Sequence, residues 1–286
     1  MPIITLTTDF GLKDHYVGTL KGKIFSKNLE VNIVDISHNV SPFNTIEAAY
    51  IIGASYKSFP LGTIHLIGVD CELNKETQQV AVLWNGHYFI CADNGILSML
   101  LLNQAPEKIV LIDQVKFSDS SQNDLNTLIN VTCFLANGGL ISDVGAPFSN
   151  LRTVFNMQPK VSTDKKTISG NVIYMDHLGN AVTNISSDLF KEVHKNRNFE
   201  IPMSALLHEK KSVPIVRIFQ RYSEVADVGN YDVLQYSGSK LAVFNEAGFL
   251  EIAIFRSGPN VGSAKTLLGM KYRDVVIINF NDDDDS

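Results

Sequence analysis

The chain has 286 residues, 45% of them hydrophobic, and a net charge of −6 from 24 Lys and Arg against 30 Asp and Glu. That is enough apolar material for one large domain or two ordinary ones, and the acidic balance argues against nucleic acid or an anionic membrane surface as partner. Cys71, Cys91 and Cys133 are odd in number and lack CxxC spacing, which disfavours a disulfide framework or zinc knuckle and fits a reducing cytoplasm.

The first half alternates strand-like and helix-like segments. Strands are expected at Ile3–Thr8, Val31–Ile36, Thr63–Val69, Val80–Leu83, Tyr88–Ala92 and Ile109–Ile112, all rich in Val, Ile and Leu. Helical spacing covers Tyr16–Ser26, Thr45–Tyr56, a shorter Leu97–Asn103, and Leu125–Asn137, which Gly138-Gly139 stops. Strands apolar on every side need cover on both faces, as in a sheet between helix layers. From Asn171 the texture changes. Val172–Met175, Val213–Phe219, Lys240–Phe244, Phe249–Phe255 and Val275–Phe280 read as strands, with little helical periodicity between them. The expectation is therefore an α/β domain over residues 1–161 with a mainly parallel central sheet, then a smaller all-β, barrel-like domain over residues 167–286. The polar stretch Ser162–Lys166 reads as the linker, and Asp282–Asp285 as a solvated tail. A strand follows the first residues directly, without a basic and then apolar leader, and no apolar run reaches membrane-spanning length; the expected location is cytoplasmic.

No GxGxxG or GxxxxGK[ST] segment is present, so neither dinucleotide nor P-loop chemistry is indicated. Acids followed closely by glycine stand where apolar runs stop, in Thr7-Thr8-Asp9-Phe10-Gly11 and in Asp176-His177-Leu178-Gly179-Asn180. Such places let a backbone turn sharply and aim a carboxylate into a cleft. Taken singly, Asp9 reads equally as a turn residue, Asp14 as a helix N-cap, Phe43 as a packed aromatic, and Asn180 as a turn residue. Asp93-Asn94-Gly95 is a turn signal, Lys13, Lys21, Lys23 and Lys27 read as a solvated helix face, and His15, His38 and His65 have no metal-ligand spacing.

The ordered set TTDFG, D-x-Y-VG-x-x-KG, DISHNVSPF, FPLGTIHLIGVD, ADNGIL and MDHLGNAVTNIS is more specific than any piece. It resembles the S-adenosylmethionine (SAM)-dependent adenosyltransferase family, which includes adenosine-forming SAM hydrolases, fluorinases and chlorinases. The resemblance runs from Asp9 to Phe249-Leu250-Glu251-Ile252-Ala253. It implies a homotrimer that binds SAM or adenosine between subunits, with no metal or further cofactor. By position, Asp9 would grip the ribose hydroxyls, with Asp14 in the same loop and Phe43 against the ligand. Asp176 and Asn180 would hold the methionine or ribose end, with Leu178 as an apolar wall. The reaction implied is water attack at ribose C5′, displacing a neutral thioether from a sulfonium.

The chain departs from that pattern. The loop that begins at Val69-Asp70-Cys71 keeps the acid, Asp70, as the candidate catalytic residue, but the Pro and both Gly of the family loop are gone and the expected Arg falls on Thr77. Counting back from Leu135-Ala136-Asn137-Gly138 puts the expected His on Asn123 and a following Arg on Leu125. A carboxylate at 70 would repel halide, so halogenation is disfavoured. Three readings stand: SAM hydrolysis with Asn123, Glu72 or Lys75 compensating, SAM or adenosine binding without turnover, and a purely structural trimer. Hydrolysis is the reading taken.

Overall fold

Strands that are apolar on both faces are stable only between two covering layers, and the first half of the chain builds that arrangement. The structure is a computed structural model that describes residues 1–102, 104–119, 123–153, 158–203, 213–226, 233–258 and 262–281. It divides into two compact units, Met1–Val154 and Phe155–Ser286.

The first unit has strands β1 (Ile3–Thr8), β2 (Asn32–Ser37), β3 (Ile64–Gly68), β4 (Gln79–Trp84), β5 (His87–Ala92), β6 (Lys108–Ile112) and β7 (Gly145–Pro147) in the order β2-β1-β3-β5-β4-β6-β7. Strands β2, β1, β3 and β5 run parallel, and β4, β6 and β7 extend the sheet antiparallel. Its helices are α1 (Tyr16–Lys27), α2 (Thr45–Ser55), α3 (Ile96–Leu101), α4 (Gln114–Phe117) and α5 (Asp124–Ala136). Leu20 and Ile24 of α1 pack with Leu128 and Val131 of α5 against Ile4 and Leu6 on one face. On the other, Ile52 of α2 and Leu97 of α3 pack against Ile67, Val82 and Phe89. The expected strands and helices form within one or two residues of their anticipated ends; residue 103 lies outside the described residues. The β4–β5 connection is Asn85-Gly86 with φ +50° and +73°, the paired left-handed geometry of a two-residue hairpin turn.

The second unit contains β8 (Lys160–Val161), β9 (Thr167–Met175), β10 (Ala181–Ser186), α6 (Ser187–His194), β11 (Asn198–Glu200), β12 (Ile218–Phe219), β13 (Lys240–Phe244), β14 (Phe249–Ile254), α7 (Ala264–Leu267) and β15 (Val275–Asn281). They form one eight-stranded sheet, ordered β11-β15-β9-β10-β14-β13-β12 with β8 on β9, curled into a half-barrel. Register shifts in both ladders of β10 supply the bend. Three local features differ from the sequence expectation. Ser162–Lys166, read as a linker, is the turn of the β8–β9 hairpin, closed by Ser162 Oγ donating to Asp164 Oδ1 at 2.5 Å. Val213–Phe219 reduces to β12 and a bridge at Ile215, because Pro214 has no N–H for a ladder. Helix α6 forms because Ser186 caps it, accepting from Leu189 N at 3.1 Å, while Phe190 and Val193 bury one face. The Asp282–Asp285 run lies outside the described residues.

At the amino ends of β3 and β5, buried His65 bonds Thr5 Oγ1 through Nδ1 at 2.6 Å and His87 Nδ1 through Nε2 at 3.2 Å. Burial, aided by His87, pushes His65 down to about 3 from 6.5. The unfolded chain therefore binds this proton first. The stabilisation is complete above pH 6.5 and is lost as pH falls from there toward 3, by up to about 1.4 kcal/mol per pH unit. Denaturant unfolding across that window should show a shallower pH slope for His65→Gln than for the parent chain; equal slopes would contradict the assignment.

Candidate functional site

Parallel pairing of β1 with β3 puts Thr8 opposite Gly68, so the chain leaves both strands at neighbouring points. The order reverses here, β2 lying on one side of β1 and β3 on the other, which is where open α/β sheets form ligand crevices. A cavity of about 920 Å³ opens at this edge, within the range of small-molecule sites. Asp9, Phe10, Phe43, Asp70, Cys71, Glu72, Asn123 and Asp124 line it, with His15, Tyr16 and Lys23 from the start and face of α1. Gly68 suits the close approach, because a Cβ there would stand 3.3 Å from Thr8 Cγ2 and press on that methyl.

Two lining residues hold left-handed backbone without being glycine: Phe43 at φ +62° and Asp70 at φ +45°. Such conformations persist only when neighbours fix them, and both have a fixing bond. Phe43 N donates to Asp9 Oδ2 at 2.9 Å, which ties the Asp9 carboxylate to the Phe43 loop. Buried Asn94 donates from Nδ2 to the carbonyls of Val69 at 3.0 Å and Asp70 at 2.9 Å. The Asp93-Asn94-Gly95 turn is thus the brace of the Asp70 loop. Beneath Asp9, His38 bonds Thr8 Oγ1 at 2.8 Å through Nδ1, while its Nε2 lies 3.1 Å from Asp35 Oδ1.

The rest of the rim is pinned to the first turn of α5. Asp124 Oδ2 accepts from Leu73 N at 2.7 Å, and Gln79 Nε2 donates to the Asp124 carbonyl at 2.9 Å. Asn123 caps α5, its Oδ1 accepting from Leu125 N at 3.0 Å. That oxygen is committed to the helix. Buried Thr77 and exposed Lys75 both lie outside the lining, whereas Glu72 and Leu125 line the cavity. Exposed Asp14 also lies outside the lining, and the N-cap of α1 is His15, without a side-chain bond, rather than Asp14. Lys23 does not face only solvent: it lines the cavity and donates to Asn126 Oδ1 at 2.7 Å. Only the three-dimensional course of α1 beside α5 reveals this. Cys71 is inert as a nucleophile, its thiol pushed up to about 12 by burial and by the nearby Asp9 carboxylate.

In the second unit, Asp176 and Asn180 close the β9–β10 hairpin. Asp176 Oδ1 accepts from Asn180 N at 2.7 Å and Oδ2 from Asn180 Nδ2 at 2.9 Å. Gly179 has φ +81°, and a Cβ there would stand 2.3 Å from Ser263 Oγ, so only glycine fits. Leu178 is exposed at the tip, and Arg256 is an exposed residue with φ +53° after β14.

Among the described residues, no group of three His, Cys, Asp or Glu side chains is placed to hold a metal ion. The first-unit cavity combines aromatic rings, suited to a planar base, with carboxylates suited to accept from sugar hydroxyls. Models of the SAM hydroxide adenosyltransferase N-terminal and C-terminal domains match residues 4–145 and 170–277. The chain is 27% identical over 286 residues to the (R)-S-adenosyl-L-methionine hydrolase of Methanocaldococcus jannaschii, covering 97% of this chain and 96% of that protein. It is 25% identical over 213 residues to a fluorinase of an Actinoplanes species, covering 64% and 72%. The crystal structure of an uncharacterized conserved protein from Thermotoga maritima superposes with a TM-score of 0.78 at 26% identity, covering 97% of this chain and 99% of that one.

Asn94→Ala should cost about 1–3 kcal/mol in denaturant unfolding, since it strips the buried Val69 carbonyl and the part-buried Asp70 carbonyl of their donor. A loss within error of zero would show that the Asp70 turn holds itself.

Proposed function

The chain belongs to the SAM hydroxide adenosyltransferase family, and from that premise we propose that it hydrolyses SAM to adenosine and L-methionine, by attack of water or hydroxide on ribose C5′. The observation that carries the proposal is the convergence of Asp9, Phe43 and Asp70 on one cavity at the switch point of the sheet. In this reading Asp9 accepts from the ribose hydroxyls and the Phe43 ring packs on the nucleoside. Asp70 accepts a hydrogen bond from the attacking water and aligns it with the C5′–S bond. The thioether leaves neutral, the sulfonium charge is discharged, and the water proton passes to solvent or to Asp70. Positioning and exclusion of bulk water supply most of the rate in such a displacement. Asp176, Asn180 and Leu178 serve the remaining part of SAM. We assign the working form as a cytoplasmic homotrimer with its sites at subunit interfaces and with SAM as its small-molecule partner, needing no metal or further cofactor.

A second reading, retention of SAM or adenosine without turnover, is favoured by one observation. Asn123, at the position where the resemblance expects a histidine, spends its side-chain oxygen on capping α5. One experiment separates the two. Pure protein is incubated with SAM while adenosine and methionine are followed by chromatography. Hydrolysis predicts both products in equal amounts, with Asp70→Ala reducing the rate roughly 100-fold or more. Asp9→Ala should raise the KM for SAM by about tenfold or more, the loss of a charged hydrogen-bond acceptor. A fully active Asp70→Ala variant would remove the role given to that residue, and bound SAM without products would establish the second reading. Light scattering should return three times the chain mass; a monomer would refute the trimer.

A further inference from the structure

Three successive carbonyls follow β3 into the loop of Asp70, and each is held by a buried side-chain amide. Asn94 takes those of Val69 and Asp70; the third, of Cys71, accepts from Gln79 Nε2 at 3.3 Å. Gln79, the first residue of β4, is 0% exposed. Its Nε2 also donates to the Asp124 carbonyl in the first turn of α5 at 2.9 Å, and its Oε1 accepts from Gln114 Nε2 of α4 at 3.3 Å. Both amide protons and the amide oxygen are thus engaged. The orientation is unique, because a flipped amide would set its oxygen against two carbonyls.

These two carbonyls belong to separate walls of the cavity. Cys71 stands between the lining residues Asp70 and Glu72, and Asp124 between the lining residues Asn123 and Leu125, while Gln79 itself lies outside the lining. A buried amide is costly, and an apolar side chain would pack beside Ala92, its cross-strand partner. What an apolar residue cannot do is tie two carbonyls, remote in sequence, at one fixed separation. The left-handed backbone of Asp70, φ +45°, is held from both sides, by Asn94 at residues 69 and 70 and by Gln79 at residue 71. Without Gln79 the Cys71–Glu72 peptide is free to rotate, and the Asp70 side chain turns with its loop. The Asp9–Phe43 bond does not pass through this loop, so that part of the cavity keeps its shape.

We propose that Gln79 is a positioning residue for the hydrolysis, fixing Asp70 through the Cys71 carbonyl against the first turn of α5. The inference rests on the assignment of Asp70 to the attacking water made above.

The test measures kcat and KM for SAM in the full chain and in Gln79→Met, Gln79→Glu and Asp70→Ala. Gln79→Met removes both donors and keeps the side-chain length. Its kcat should fall about 10- to 100-fold, the cost of misplacing an aligned reactant by on the order of an ångström. Its KM should stay within about twofold of the parent, since ground-state binding is untouched. Gln79→Glu covers the case in which Gln79→Met fails to fold. When ionised it offers neither carbonyl a donor, and when neutral its O–H serves one of them, so its kcat relative to the parent should rise as pH is lowered. Parental kcat in folded Gln79→Met would overturn the proposal, whether or not its unfolding midpoint drops. A rise in KM alone would do the same, and so would a Gln79→Glu variant that matches the parent at every pH. If the parent forms no adenosine, or Asp70→Ala is fully active, the Asp70 assignment has failed and the inference falls with it.

Discussion

The parallel pairing of β1 with β3 is the constraint on which the candidate site depends. Asp9 and Asp70 lie far apart in the chain, yet the register that sets Thr8 against Gly68 brings both to one rim. Apolar burial on both faces of the sheet enforces that register, since a slip by one residue would turn Leu6 and Leu66 away from their layers. The helix layers supply this stabilisation remote from the rim. The rim itself can therefore tolerate two residues in left-handed backbone, Phe43 and Asp70.

What keeps those residues in place is a set of polar bonds rather than packing. Asn94 holds the carbonyls of Val69 and Asp70, Asp9 holds the Phe43 amide, and Asp124 holds the amide of Leu73. Each uses a buried or half-buried acceptor or donor to determine a loop direction, and each loop supplies a lining residue. The cavity is consequently rich in carboxylates, with Asp9, Asp70, Glu72 and Asp124 around it and Lys23 as a cation on its wall. Such a field suits a cationic ligand such as a sulfonium and opposes a halide nucleophile. The hairpin at Asp176 repeats the logic in the second unit, where Asn180 fixes the acid through both backbone and side-chain N–H.

The degree to which the sequence could be read follows the range of the forces involved. Strands β1 to β6 and helices α1, α2, α3 and α5 are visible because burial imprints periodicity on contiguous residues. Helix α6 is short and carries its signal in one cap, Ser186, and three apolar residues, Leu189, Phe190 and Val193, so it is lost among strands. Pro214 is a plain signal that the segment from 213 to 219 could not run as a full strand. At the site, Asp9, Phe43 and Asp70 stand out as acids and an aromatic at element ends. Lys23 is hidden because its neighbours on α1 give a solvated pattern, and its bond to Asn126 depends on how α1 meets α5. The cap role of Asn123 is local and legible; its place on the cavity wall is not.

The sequence by itself determined the sheet-between-helices architecture of the first unit, the mostly β second unit, and the acids at strand ends, because each is written in nearby residues. The tertiary structure decided which of those acids share a cavity, that Asp14 stays outside its lining, and that Lys23 enters it. These outcomes depend on strand register and helix placement between segments remote in sequence. No local propensity encodes such distances; they are set when the core layers close and the left-handed loops are bonded into place.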